Sequence, residues 1–377
     1  MSLSLKNSTF ISLLFLSLLI AGTASLPATI GVNYIATAHP PPERVASALQ
    51  ALKITSVRLP DPTPAVVRAF SYSNISLLLS VPNNLVGSFA ANRSAAALWL
   101  YTHVVPFYPR ARISTISVGT DVLDTPVDLS DSLLPAVRNL HLSLRDLGIN
   151  KIAVSTTFTF INVMSNSFPP SSAEFQEPIS GLIIKPLLQF LDETNSSFLI
   201  NLYPYNVYRL SSEIPVGYPL FQEHPFNFRD DFMTGVRYRN LFDMMVDAVI
   251  CAMAVAGHEN IPVIVTETGW PSSGERNEAD ANPVFAEMYI KGLVNHLKSG
   301  LGTPLRKEGV AQTYIYELFD TEEKQGSETG GHNWGILFPN MTQKYAIGLS
   351  GSIRVGGGLG KMALGLFLML ASVLLFW

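Results

Sequence analysis

A single cysteine, Cys251, occurs in 377 residues. No intramolecular disulfide can form, so a hydrophobic core must hold the fold together. Charge is scarce too: Asp, Glu, Lys and Arg make up 14% of the chain and the net charge is −4, which leaves no basic surface for nucleic acid. The seven histidines are scattered, with no His–x–His or His–x₃–His pair, so no metal site and no cofactor is expected. The chain has no Gly–x–Ser–x–Gly elbow of the serine hydrolases and no glycine-rich phosphate loop after its first apolar strand. It also lacks internal repeats and low-complexity linkers, which argues against a second domain. What remains is one large apolar domain, since 47% of the residues are hydrophobic and a chain of this length can bury a sizeable core. Cys251 lies in the apolar run 244–256 and is expected to be a buried, inert thiol.

The two ends read differently from the middle. Lys6 precedes the apolar run 10–20, and small residues follow at 21–25. This is the pattern of a secretory signal peptide, residues 1–25, cleaved near Ala24 or Ser25. The run is too short for a membrane anchor. At the other end stand Ser350, Gly351 and Ser352, then a spacer at 353–361, then an uncharged apolar tail at 362–377. Small residues, spacer and tail form a glycosylphosphatidylinositol attachment signal, residues 352–377, removed on processing. A spanning helix would need about 20 apolar residues and usually carries basic residues on its cytosolic side. The mature domain is therefore expected at 26–351, as a monomer held by a lipid anchor on the outer plasma membrane, facing the cell wall. The sequons at Asn74, Asn92, Asn195 and Asn340 are candidate glycosylation sites.

Between these ends, short apolar runs alternate with amphipathic ones. Strands are predicted at 29–34, 55–59, 75–81, 113–118, 152–157, 198–202, 262–265 and 311–316. Helices are predicted at about 45–52, 65–70, 94–105, 137–147, 183–191, 241–256 and 284–297. Loops are expected at 162–175 and from 203 to about 238. In the first helix, for example, Val45, Ala48, Leu49 and Leu52 fall at i, i+3, i+4 and i+7, one face of a helix. Eight such strands alternating with helices predict a single (β/α)8 TIM-type barrel. A doubly wound open sheet is the alternative, disfavoured by the missing phosphate loop.

In such a barrel the chemistry sits at the C-terminal strand ends. The residues predicted there are Tyr34, Asp61, Asn83, Asp121, Tyr203, Glu267 and Glu317, accompanied by Tyr205, Trp270 and Trp334. Hydroxyls, amides and flat rings suit a sugar, which presents apolar faces and hydroxyl rims. Two acids on different strand ends suit glycoside hydrolysis, in which one carboxyl attacks or assists and the other donates a proton. The most pointed stretch is 263–271, Val-Ile-Val-Thr-Glu-Thr-Gly-Trp-Pro. It reads as a buried strand that ends in an acid beside an aromatic wall.

Longer stretches resemble one family. They are Ile30-Gly31-Val32-Asn33-Tyr34, Val57-Arg58-Leu59, Val81-Pro82-Asn83, Ser167-Phe168-Pro169-Pro170-Ser171, Asn201-Leu202-Tyr203-Pro204-Tyr205, Asn240-Leu241-Phe242-Asp243, Thr266-Glu267-Thr268-Gly269-Trp270-Pro271, 314–324 and Asn333-Trp334-Gly335. Together they resemble the plant endo-1,3-β-glucanases of glycoside hydrolase family 17, over about 30–349. The resemblance implies a (β/α) barrel that cleaves internal β-1,3 linkages of glucans with retention and without metal. Some members are lipid-anchored at the cell surface, and some carry a cysteine-rich carbohydrate-binding module that is not expected here. It implies Glu267 as nucleophile and Asp121 as acid/base. Substrate-binding roles are expected for Tyr34, Asn83, Thr120, Tyr203, Tyr205, Trp270, Glu317, Lys324 and Trp334.

The match breaks at the acid/base. Where the family reads Gly-Asn-Glu, this chain reads Gly119-Thr120-Asp121. An amide that typically holds a sugar hydroxyl is replaced, and the acid is one methylene shorter. The acid expected directly after Leu-Phe-Asp is Thr321, with Glu322 adjacent; the later acid is displaced to Glu328, and the usual Tyr after the second strand is Pro60. Two functions follow: a surface-anchored β-1,3-glucanase, or a barrel that binds β-1,3-glucan and turns it over poorly.

Overall fold

The computed structural model describes residues 29–37, 40–125, 128–224, 226–320 and 332–347. The signal peptide, the lipid-attachment signal, Lys324, Glu322 and Glu328 lie outside the described residues. Eight parallel strands close into a barrel in chain order. They are β1 Thr29–Asn33, β2 Ser56–Leu59, β3 Ser76–Val81, β4 Arg112–Thr120, β5 Ala153–Thr159, β6 Phe198–Asn201, β7 Val263–Thr268 and β8 Gln312–Ile315. Seven helices make the crossovers: α1 Pro42–Ala51, α2 Pro64–Ala69, α3 Arg93–His103, α4 Ser130–Asp146, α5 Lys185–Glu193, α6 Leu241–Val255 and α7 Pro283–Ser299. Among the described residues no helix follows β8. The segment 332–347 folds back there, with Leu337 bridging to Phe319 and Gln343.

The local chemistry explains the boundaries. Proline opens α1, α2 and α7, where its missing N–H costs nothing. The side chains of Asn92, Asn240 and Asn282 accept from the backbone N–H groups of Ser94, Asp243 and Phe285 and so cap α3, α6 and α7. The strands are buried on both faces, as the pattern along β3 shows, because helices cover the outside and side chains fill the inside. Leu78, Leu199, Ile264 and Tyr314 form their own small buried cluster, one filled layer of the barrel interior. A much larger cluster packs strands against helices.

Three readings of the sequence need correction. The predicted loop at 162–175 holds an antiparallel pair, Met164–Asn166 with Glu174–Phe175. The long loop to Tyr238 holds a helix, Pro204–Leu210, and the hairpin Arg229–Asp231 with Val236–Tyr238. Short polar strands on the barrel's rim carry no period-2 apolar signal that could have shown them. Cys251 is only partly buried on α6, although that burial still pushes its thiol up to about 11.

Candidate active site

Strand β7 runs on through Glu267 to Thr268, so the acid lies within the barrel's pairing rather than beyond it. Ile264 belongs to the interior layer, and strict alternation from it would aim Glu267 into the helical shell. The register with β6 and β8 shifts just after Val265. A bulge of this kind re-aims a side chain, and Glu267 faces the mouth. Its carboxylate is paired with the guanidinium of Arg58, at 14% and 1% side-chain exposure respectively. The Tyr203 hydroxyl donates to its other oxygen at 2.6 Å. Arg58 also donates to Asn33 Oδ1 at 2.8 Å and Thr120 Oγ1 at 3.1 Å. Asn33 is fixed in turn by donating to the Thr266 carbonyl at 2.9 Å. One buried cation thus orients groups from β1, β4 and β7. Burial, reinforced by the charge and the hydrogen bond of Glu267, holds the Tyr203 phenol well above its usual value, so it stays a donor.

Asp121 follows β4 directly and adopts φ 50° and ψ 43°, a left-handed conformation that Asp tolerates better than most residues. Gly119 before it has φ +76°, and a Cβ there would lie 2.4 Å from Val122 Cγ2 and 3.1 Å from Asn83 Oδ1. Glycine thus allows the sharp exit from the strand. Asn83 closes the turn: its Oδ1 accepts from the Thr120 N–H and its Nδ2 donates to the Thr120 carbonyl, both at 2.8 Å. The Asp121 carboxyl accepts from Thr159 Oγ1 at 2.7 Å and makes a long contact of 3.5 Å with Asn201 Nδ2. Asn201 Oδ1 accepts from Thr266 Oγ1 at 2.7 Å, which links the acid to the residue preceding Glu267. The other Asp121 oxygen is buried and has no hydrogen-bond partner. Burial raises the Asp121 pKa; the Thr159 hydrogen bond opposes it, the Glu267 charge adds to it and Arg58 opposes it.

The aromatic residues around the mouth divide into two groups. Tyr203, Tyr316 and Trp334 meet edge to face beside Glu267, with Tyr203 and Trp334 centroids 5.3 Å apart, and all three are partly exposed. Tyr34, Tyr205 and Trp270 are 1% exposed and pack behind that surface. The rings of Tyr205 and Trp270 lie 4.9 Å apart, and the Trp270 indole N–H donates to the Asp280 carbonyl at 2.8 Å. Tyr34 packs on Phe70 and Phe319, and burial, then Glu43, pushes its phenol up to about 12. Glu317 is buried, and its backbone pairs with Trp334 and Ile336. That pairing seats the Trp334 segment on the barrel. Asp61 is exposed and takes no part in the cluster.

Asn33, Arg58 and Asn201 lie in the family-like stretches, where the sequence alone assigns them no role. A lone arginine inside the apolar strand Ser-Val-Arg-Leu is the signal that was there, because a buried cation demands a partner. Tyr316 and Thr159 carried no such mark. Among the described residues no group of His, Cys, Asp or Glu converges as a metal site would.

Comparison with known proteins agrees with this geometry. The model of the glycosyl hydrolases family 17 matches residues 30–349. Glucan endo-1,3-beta-glucosidase 12 of Arabidopsis thaliana is 36% identical over 342 residues, covering 90% of this chain and 63% of that protein. This chain thus spans a little under two thirds of that relative's length. The structure of CJP38, a beta-1,3-glucanase and allergen of Cryptomeria japonica pollen, superposes with a TM-score of 0.78 at 33% identity, covering 85% of this chain and 99% of that one. A plant beta-glucan endohydrolase, from a study of two with distinct substrate specificities, gives 0.75 at 31% identity, covering 84% and 99%. With the family model matched across nearly the whole barrel and these likenesses in fold, the chain belongs to the glycosyl hydrolases family 17.

Proposed function

We propose that the protein hydrolyses internal β-1,3-glucosidic linkages of a cell-wall glucan by a retaining, two-carboxylate mechanism. Glu267 attacks the anomeric carbon and forms a glycosyl ester. Asp121 gives its proton to the departing glucosyl oxygen. A water molecule, deprotonated by Asp121, then cleaves the ester and restores both carboxyls. Arg58 and Tyr203 aim the nucleophile, and Tyr203, Tyr316 and Trp334 offer rings to the sugar faces. On the resemblance, Thr120 and Lys324 contact the substrate as well.

The observation that carries this reading is the contrast between the two acids. Glu267 meets a guanidinium and a phenol at the mouth, whereas Asp121 meets only the Thr159 hydroxyl and a distant amide, keeps one oxygen without a partner, and has a raised pKa. Opposed environments of this sort divide a carboxyl pair into nucleophile and proton donor. A second reading, a glucan-binding protein with impaired turnover, is favoured by one feature: one Asp121 oxygen is held by Thr159 and the other is buried with no partner. The terminal segments support placement of the mature 26–351 domain on a lipid anchor on the outer face of the plasma membrane; it is taken to be a monomer.

The test is hydrolysis of a linear β-1,3-glucan by the purified mature protein, measured as released reducing ends. Glu267→Gln should abolish it while leaving the fold and glucan binding in place. A fluorosugar that traps the glycosyl enzyme should label a peptide containing Glu267. Labelling of another carboxylate, or full activity of Glu267→Gln, removes the assignment.

A further inference from the structure

A second cleft lies on the outside of the barrel and shares no residue with the Glu267 cluster. It encloses about 520 Å³ between the connection leading into α6, the start of α6 and the end of α7, within the range of small-molecule sites. Phe221 forms one wall, and Glu223, Arg239, Asn240, Asn295 and Ser299 stand around it.

The wall is built at a cost. Phe221 has φ +57°, a region where a bulky residue is an outlier. Its ring lies against His296, with centroids 5.8 Å apart. Opposite it, in the middle of α7, is Gly292, where an added Cβ would sit 2.6 Å from Phe221 Cβ. Glycine inside a helix is destabilising relative to alanine. The ring also packs on the buried Phe242 and Tyr289, 6.4 and 5.8 Å between centroids, so the strained backbone and the helix glycine hold it at the boundary between core and cleft. Backbone strain of this kind concentrates at ligand sites.

The rim shows what the ring would face. The Arg237 guanidinium is occupied by both oxygens of Asp230, at 2.6 and 2.9 Å. His296 is paired with the buried Asp243 at 2.7 Å. Those charges are neutralised within the protein. Glu223, Arg239 and Asn295 are exposed and have no partner among the described residues, and the two charges among them are of opposite sign. The cleft therefore lacks the net positive field that an anion would need. A flat apolar face ringed by one acid, one guanidinium and amides suits a neutral ligand with an apolar face and many hydroxyls.

We propose that this cleft is a second saccharide site, taking a neutral β-glucan segment with one sugar face on Phe221 and its hydroxyls on Glu223, Arg239 and Asn295. The choice of glucan rests on the reading of the Glu267 cleft as a β-1,3-glucanase site. Such a site holds the polymer while the mouth cuts it.

The experiment is calorimetric titration of the mature Glu267→Gln protein with a linear β-1,3-glucan heptasaccharide. Two sites per chain are expected. Arg239→Ala should weaken one about tenfold, the loss of one hydrogen bond to a charged group. Asn295→Trp, placed on an exposed position with no protein partner, should abolish the same site by filling it. Trp334→Ala should weaken only the other. A single site indifferent to Arg239→Ala and Asn295→Trp overturns the proposal and leaves the glucanase reading intact. An Arg239-dependent site in a parent protein that hydrolyses no β-1,3-glucan removes the glucanase reading and keeps this one. Absence of any binding overturns both. Tighter binding of an oligogalacturonide at the Arg239 site overturns the assignment of a neutral ligand.

Discussion

Arg58 on β2 and Glu267 on β7 form an ion pair across the barrel mouth, although β1 and β8 stand between their strands. The same guanidinium reaches Asn33 and Thr120, so its removal disturbs three strands together. Arg58→Ala leaves a mostly buried carboxylate without its cation, which costs about 3 kcal/mol of stability. It also frees Glu267 to move, and a displacement of about 1 Å can cost about 10²-fold in rate. Arg58→Lys keeps the charge but cannot hold three acceptors in a fixed fork. Thermal unfolding and hydrolysis of a linear β-1,3-glucan should therefore rank parent, Lys variant, Ala variant in both measurements. An Ala variant with parental kcat/KM would show that Arg58 serves the fold alone.

The barrel was legible because each strand is a short apolar run and each crossover helix has its own period or cap. Glu267 was legible as an acid that closes such a run. What the sequence could not display is direction. Tyr34, Tyr205 and Trp270 lie next to strand ends in the chain, yet they pack inward, whereas Trp334, far along the chain, is brought to the mouth by backbone pairing with Glu317. Asn83 is expected to contact substrate, and the structure adds a role that the sequence does not display, since both ends of its side chain bind the Thr120 backbone. Contacts of this kind depend on closure of the barrel, which joins residues over 200 positions apart, as Arg58 and Glu267 show.

The pH behaviour should follow Asp121. Its folded pKa is raised, chiefly by burial, so it keeps its proton to a higher pH than a free carboxyl, near 3.9. On the proposed mechanism Asp121 is the proton donor and must be protonated, so the alkaline limb of kcat/KM should report it. The Thr159 hydroxyl opposes the shift. Thr159→Val removes that donor, and the alkaline limb should move to higher pH. For stability the sign is the same as for any group whose folded pKa is raised. Its contribution is fully present below the unfolded pKa and is lost as pH rises through the folded one. An alkaline limb that stays in place in Thr159→Val would argue for a different proton donor.

The proposed lipid anchor predicts release. Membranes from cells expressing the full chain, treated with phosphatidylinositol-specific phospholipase C, should lose the protein to the soluble fraction. Replacing the small residues Ser350, Gly351 and Ser352 with bulky ones should block attachment. Retention in the membrane after effective lipase treatment would favour a spanning tail, for which about 20 apolar residues are usually needed.

On the proposed mechanism, the short acid is the position most open to repair. Retaining chemistry places its two carboxyls about 5–5.5 Å apart. A side chain shortened by one methylene widens that gap by up to about 1.5 Å, one carbon–carbon bond. Asp121 compounds this by turning toward Thr159 and Asn201 from a left-handed backbone. The double change Thr120→Asn with Asp121→Glu should raise kcat by about 10-fold, part of the roughly 10² that misplacement can cost. The gain has two limits visible in the site. Glu tolerates the left-handed region less well than Asp, and Asn at 120 must take over the bond that Arg58 now gives to the Thr120 hydroxyl. Tm should fall slightly, therefore, while turnover rises. Asp121→Asn should lower whatever activity the parent has. Steady-state hydrolysis by the three proteins, with glucan binding measured separately, decides the matter. A folded, glucan-binding double variant no faster than the parent means the acid's reach does not limit the rate. An Asp121→Asn variant at full parental activity moves the proton donor elsewhere, with Glu317 the first carboxyl to replace.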